Sequence, residues 1–393
     1  MLVRAGLVSL VALAATACAS NTDAPVQNTV AASGSDTEML QIDGFSDAIH
    51  HWQNRYGEAY PRYDLSQVKE IADNILLMQR DHGGWIQNQD PMRILTDADV
   101  ERYTSDKGEA FGSFDNRNIY TQIAYLIGAY ERVGDERYKA AALKGLDYLL
   151  EHQIDGCGGW PHSVNGDQRY FPLLTIADEV TSGPQVLLRS ISERDWPFGR
   201  LSDDVVASAT AALKAGDACV LRLQVRQGDQ LAGWAGQYDP VTLEPAMGRT
   251  FELPSIAVDE SVSMLRYLMS IDGPSDDVIA SVEGGVSWLK QNAIHGTRLE
   301  EFDLPEPIKF RYHTSGFDRR LVTDPDAPLL WGRFYDVTDN SVVLANRDSV
   351  RVEDYQQIDI ERRTGYNWYG VWPNELLEVD YPAWQCRTYG KSC

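Results

Sequence analysis

The chain has 393 residues, 43% hydrophobic and 24% charged, with a formal net charge of −23. These are globular proportions, enough for one large domain or two ordinary ones. The acidity argues against nucleic acid and anionic membrane surfaces as partners, since both need clustered Lys and Arg, and it suits an exported protein.

The first residues, "MLVRAGLVSLVALAATACASNTD", set one Arg before an apolar run of export-signal length. That run is too short to span a membrane. Cys18 follows "AATA", the setting of a bacterial lipoprotein processing site, although Ala15 sits where Leu is usual. Lipidation of Cys18 is read ahead of plain signal cleavage. Either sends the protein to the periplasm, the outer membrane or the exterior, and the lipid would be its one membrane attachment. The signal is assigned to residues 1–17. Residues 18–42, small and polar, read as a flexible tether, and 43–393 as a single domain. Cys386 and Cys393 are near enough in sequence for a local bridge, whereas a Cys157–Cys219 pair depends on geometry.

Further along, "DLSQVKEIADNILLMQ" (64–79) puts Val68, Ile71, Ile75 and Met78 on one helical face, with Asp64 or Ser66 as cap. Residues 117–133 and 134–153 follow as two helices, the second opened by Gly134 and Asp135. Segments 178–192 with 202–226, and 258–271 with 275–292, form further pairs. Strand signals are confined to "IKFRYH" (308–313) and "PLLWGRFY" (328–335).

Three of these helices end alike, in "LLMQRDHGGWIQN" (76–88), "EHQIDGCGGWPHS" (151–163) and "LRLQVRQGDQLAGWAGQYD" (221–239). Trp85, Trp160 and Trp234 are spaced 75 and 74 residues apart, room for two helices and their loops. Such a period points to stacked helical hairpins. The expected fold is mostly α, an (α/α) toroid-like array with a small extended C-terminal part. In this reading the glycines end each inner helix and the Trp seals the turn. Packing explains the Trp residues well. Gathered at one mouth, Trp85 and Trp160 would also offer stacking rings to a sugar.

Asp115 and Asn116 stand just before one helix, and Asp178 and Glu179 before another. Helix capping accounts for each pair alone. Two such sites meeting at one rim would present hard oxygens suited to Ca²⁺, with water and substrate completing the shell. Arg249 lies between a turn and "TFELPS", Arg333 in "LLWGRFYD", and Arg362–Arg363 beside Tyr366 in "ERRTGYNWYG". Arginines are most often salt-bridge partners. Set among Tyr and Trp they also hold a carboxylate over a ring.

Taken in order, "HGGWIQNQD", "FDNRNIYTQIAYLIGAYERVGDERY", "GLDYLLEHQIDGCGGWP", "WAGQYDPVTLEPAMGRTFELPS", "PLLWGRFYD" and "RRTGYNWYGVWP" resemble the family 10 polysaccharide lyases, bacterial pectate lyases, over roughly residues 60–385. The resemblance implies a helical toroid and Ca²⁺-dependent anti β-elimination of polygalacturonate (pectin); the chain is expected to act as a monomer, although nothing in the sequence gives a lead on oligomeric state. It implies that Asp115 and Arg249 are catalytic, with Arg249 as base, and that Asp178 holds the metal; Glu179, as its neighbour in the carboxylate pair, is expected to join it. Asn116, Arg333, Arg363, Tyr366, Trp85 and Trp160 would bind substrate. The chain departs from the family pattern at Gln87, where Lys is usual, at Leu174 and Ala177, where His and Asn are frequent, and at Glu179 in place of a second Asp. Two other readings stand beside it. One is an inverting glycoside hydrolase using Asp115 and Asp178, which needs carboxylates about 6.5–9.5 Å apart. The other is a surface glycan-binding lipoprotein on a lyase scaffold without turnover.

Overall fold

The computed structural model describes residues 40–311 and 313–390. The export signal, Cys18, nearly all of the tether and the Cys386–Cys393 pairing, through Cys393, lie outside the described residues. Helix α1 (Ser46–Tyr56) leads into α2 (Val68–Met78) and a short α3 (Asp97–Ser105). Three hairpins then pack in turn: α4 (Tyr120–Val133) on α5 (Glu136–Glu151), α6 (Ser182–Glu193) on α7 (Asp203–Leu223), and α8 (Val258–Met269) on α9 (Asp276–Gln291). The expected pairs are present. Helix α4 starts three residues later than its pattern because Asn116, Arg117 and Ile119 adopt positive φ (55°, 60° and 74°), which a right-handed helix cannot include.

Helices α4, α6 and α8 lie side by side and are almost wholly covered, while α5, α7 and α9 keep a solvated face. The inner ring is therefore α4–α6–α8. The Gly-Trp turns end outer helices, not inner ones.

The repeated Gln explains itself in the structure. Gln79 Nε2 donates to the Gly83 and Ala141 carbonyls, both at 2.8 Å. Gln153 Nε2 donates to Gly158 and Ala212 (2.7 and 2.8 Å), and Gln224 Nε2 to Ala232 and Ser281 (2.8 and 3.0 Å). Each Gln thus closes its own turn and ties its helix to the next outer helix, α2 to α5, α5 to α7, α7 to α9. The Trp completes the seam. Indole Nε1 of Trp85, Trp160 and Trp234 donates back to Ile75, Leu149 and Val220 carbonyls at 2.9, 2.8 and 2.8 Å, satisfying acceptors that a helix end leaves open. Trp331 repeats the bond to Leu289 at 2.8 Å, a fourth copy. Gly83 and Gly158 have φ of 102° and 122°, and a Cβ there would come within 2.4 and 2.5 Å of the Lys144 and Ala215 backbone, so only glycine lets the turn touch the next helix.

Cys157 and Cys219 are bridged across a sequence separation of 62 residues, fastening the turn after α5 to α7. Closing a loop of that length constrains the unfolded chain by about 4 kcal/mol. Strands Thr297–Lys309 and Thr314–Thr323 form a long antiparallel hairpin. "IKFRYH" covers its tip and not a whole strand. The hairpin is set by charge: Glu301 opposes Arg319 and Glu300 opposes Arg320, paired at 2.8 and 2.6 Å. "PLLWGRFY" holds two short pairings, Trp331–Gly332 and Phe334–Tyr335. No helix among the described residues is long and apolar enough to cross a membrane.

Candidate active site

Just before each inner helix runs a two-residue strand: 112–113, 174–175 and 256–257. The first pairs with 163–164, beyond the Trp160 turn, and the second with 237–238, beyond the Trp234 turn; the third pairs with 334–335, beyond Trp331, and on its other side with 234–235, which holds Trp234 itself. This knits the three helix starts into one rim. Each start carries an adjacent polar pair: Asp115–Asn116, Asp178–Glu179 and Asp259–Glu260.

Asp115 and Asp178 meet there. The Asp178 carboxyl feels the charge of Asp115 directly, and Asp115 Oδ1 lies 3.4 Å from His162 Nε2. Asp178 is crowded by protein yet keeps a face open to the cleft. Burial pushes its carboxyl well above the ordinary value, and the Asp115 charge pushes it further. For Asp115 burial acts in the same direction but loses. The hydrogen bond and charge of His162, then the charge of Arg249, hold its carboxyl below the usual range. The two carboxyls are thus pushed apart, Asp178 toward its neutral form and Asp115 toward its charged one. His162 is itself fixed through Ser163 Oγ at 2.8 Å, which donates to Ser113 Oγ at 2.8 Å, and it stacks on Phe171 with centroids 5.0 Å apart.

Across the cleft, Arg249 is anchored by Glu252. The Glu252 carboxylate receives the Arg249 backbone N–H at 2.8 Å, Nε at 3.0 Å and Nη2, and it also receives the Tyr366 hydroxyl at 2.8 Å. Burial works against the Glu252 charge, but Arg249 and these bonds bring its pKa down to about 2. Desolvation likewise works against Arg249, and the Glu252 charge overcomes it and raises its pKa. In the resting molecule Arg249 is a firmly protonated cation. Arg333 joins the third acidic pair, with Nη2 2.6 Å from Glu260 and Nη1 3.4 Å from Asp259, and lies 5.2 Å from the Tyr366 ring centroid. Asp178 senses Asp115, Arg249, Glu260 and Arg333 together. The site thus alternates acids and arginines.

Asn116 Nδ2 donates to Asn88 Oδ1 at 2.9 Å, next to Gln87. Asp115, Asn116, Asp178, Arg249, Arg333 and Tyr366 therefore gather at one cleft. Four expected residues play other parts. Trp85 and Trp160 are 2% and 0% exposed and present no face to a sugar. Arg363 is buried, forked onto Asp318 at 2.8 and 2.7 Å and onto the Gln356 and Ile358 carbonyls, so four of its five N–H donors are spent inside the protein and it serves as a structural anchor. Glu179 gives one oxygen to Arg117 at 2.9 Å and the other to the Tyr120 hydroxyl at 2.8 Å, which makes it an anchor for Arg117 in place of a metal ligand. Glu252, His162, Arg117, Asp259 and Glu260 were not anticipated. Among the described residues no three His, Cys, Asp or Glu side chains converge as a ready metal cage. Two neighbouring carboxyls, one of them pushed toward its neutral form by the other's charge, still fit a divalent cation, which would offset that repulsion.

The pectic acid lyase family model matches residues 79–377. The family 10 polysaccharide lyase from Cellvibrio cellulosa has a similar fold, with a TM-score of 0.68, 24% identity, and coverage of 88% of this chain and 98% of that one. A mutant of that enzyme in complex with trigalacturonic acid gives a TM-score of 0.68 at 23% identity, covering 88% and 99%. These likenesses establish the (α/α) toroid fold. No curated protein sequence matches the chain. Because the family match runs over most of its length, the chain belongs to the pectic acid lyase family and is a polysaccharide lyase.

Proposed function

We propose that the protein is a Ca²⁺-dependent pectate lyase that cleaves polygalacturonate by anti β-elimination. The observation that carries this is the meeting of the Asp115–Asp178 pair with Arg249 and Arg333 in one open cleft. Hydrolysis by two carboxylates needs them about 6.5–9.5 Å apart. Here Asp178 answers to the charges of Asp115, Arg249 and Arg333 together, and in a hydrolase the arginines would have no task.

In this reading Asp178, with Asp115 beside it, would hold the calcium, which acidifies C5 by drawing charge from the uronate carboxylate. Arg333 holds a substrate carboxylate over Tyr366. Asn116 orients the ring. Arg249, having first given up one proton to hydroxide, takes the C5 proton, the C–H electrons become the C4–C5 double bond, the C4–O4 bond breaks, and the leaving oxygen takes a proton from solvent. An arginine base is unusual because its pKa exceeds ~12. Glu252 raises that barrier, so Arg249 must part from Glu252 as substrate enters, and activity belongs at alkaline pH. The negative protein then meets a negative polymer only where these cations face it. We further propose export, with a lipid on Cys18.

The test is ultraviolet absorbance of an unsaturated product from polygalacturonate at alkaline pH, with added calcium and with chelator. A chelator-sensitive rise supports the reading. Reducing ends without absorbance would mean hydrolysis, and binding without either would mean a glycan-binding protein.

A further inference from the structure

We propose that α1 forms one wall of the substrate cleft and that His51 on it binds the glycan chain. Helix α1 precedes residues 79–377, which the family model matches, yet it is fastened to the centre of the site. The fastening is Arg117, two residues past Asp115. Its Nε lies 3.1 Å from Asp47, its Nη1 donates to Ser46 Oγ at 3.3 Å, and its Nη2 lies 2.9 Å from Glu179. One guanidinium therefore joins α1 to both acidic helix starts, the one before α4 and the one before α6. The approach to α1 is equally close. Phe45 is buried and meets Tyr125 edge-on with centroids 5.9 Å apart, and a Cβ on Gly44 would come within 2.6 Å of Thr121. Nearer its C-terminal end, Trp52 receives the Arg93 guanidinium at 3.6 Å from its ring centroid. The helix is pinned along its length.

Asp47 and His51 are one turn apart and share a face. Asp47 is spent on Arg117, and His51 stands one turn further along the same face. There it senses the charges of Asp115 and Arg249 as well as those of Asp47 and His50. Its side chain is exposed, and among the described residues none hydrogen-bonds its ring. The protein beside its inner edge, opposite its solvent-open face, favours the neutral ring: that partial desolvation lowers its pKa despite the pull of Asp47 and Asp115. A neutral imidazole brings one donor and one acceptor, which suits pyranose hydroxyls, and adds no charge to a cleft whose cations are already placed. His50 is its natural control. It sits on the same helix, exposed, and is engaged by Asn54 Nδ2 at 2.9 Å.

The experiment is steady-state turnover of polygalacturonate by the full mature chain and by His51→Ala, His51→Gln and His50→Ala. Losing one neutral hydrogen bond made equally in ground and transition states should raise KM about five-fold in His51→Ala and leave kcat within about two-fold. His51→Gln should recover most of the loss, and His50→Ala should match the unsubstituted protein. An unchanged KM in His51→Ala, or an equal rise in His50→Ala, overturns the proposal. It rests on the lyase reading. Absence of both cleavage and binding by the unsubstituted protein would overturn that reading and this one together, whereas normal turnover with a silent His51→Ala would overturn this one alone.

Discussion

Glu252→Gln keeps the shape of the anchor beneath Arg249 and removes its charge. With a folded pKa of about 2 against an ordinary 4.5, and about 1.36 kcal/mol per unit, the ionised Glu252 contributes about 3 kcal/mol. Its folded pKa is depressed, so this stability is fully present above about pH 4.5 and is lost as pH falls through about 2. Gln retains an acceptor for Arg249 and Tyr366, so the expected loss at pH 7.5 is about 2–3 kcal/mol, shrinking to about half at pH 3. Urea denaturation at the two pH values measures it. The same substitution removes the charge that raises the Arg249 pKa. If Arg249 is the base, the rise of kcat/KM with pH should begin at lower pH in the variant, even though a less firmly held guanidinium lowers the maximum. Equal urea midpoints at pH 7.5 would refute the electrostatic argument, and an unmoved pH profile would refute Arg249 as the base.

Gln153→Ala deprives the Gly158 and Ala212 carbonyls of their donor and should cost about 2–4 kcal/mol in urea, with KM unchanged in the surviving folded protein. Arg363→Met leaves Asp318 buried and unpaired. We expect a loss of about 3–5 kcal/mol with no change in KM, and a raised KM at full stability would return Arg363 to the substrate. Asp178→Asn should raise the thermal midpoint of the metal-free protein at pH 8 and abolish any rise produced by calcium. The sign follows from a raised folded pKa: stability present while the proton is common to both states is lost as pH climbs above the unfolded value, and Asn escapes that loss. Calcium titrations monitored by thermal melts decide it.

Much of the scaffold was legible in the sequence. Apolar spacing marked the hairpins, and the Gln-Gly-Trp period marked their array, because each seam needs the same three chemistries at the same place. Side-chain direction was not legible. Nothing in "GGW" says that the indole N–H turns back onto its own helix, so Trp85 and Trp160, read both as seals of their turns and as stacking rings, turn out to be seals alone. The Asp115 and Asp178 positions stood out as polar pairs before helices. Asp259 and Glu260 in "AVDES" obey the same rule and could have been read from it, as could Glu252, three residues from Arg249. The long hairpin was hidden because its "EE" and "RR" runs are strand signals only once opposed. Helix α1 and His51 carried no repeat and no motif. Their place at the cleft is decided by Arg117, whose partners lie 70 and 62 residues away in the chain (Asp47 and Glu179).

The three glutamine seams have a mechanical consequence. Each fixes the angle at which one hairpin fans away from the last. The gap between Asp115, at the first inner helix, and Arg333, against the third, is the accumulated result of those angles. A slight rotation at any seam is multiplied along the fan and arrives at the mouth as a change of width. Residues that no sugar touches thereby set the gauge of the groove, and glycan-length preference can drift through the outer ring while every cleft residue stays the same.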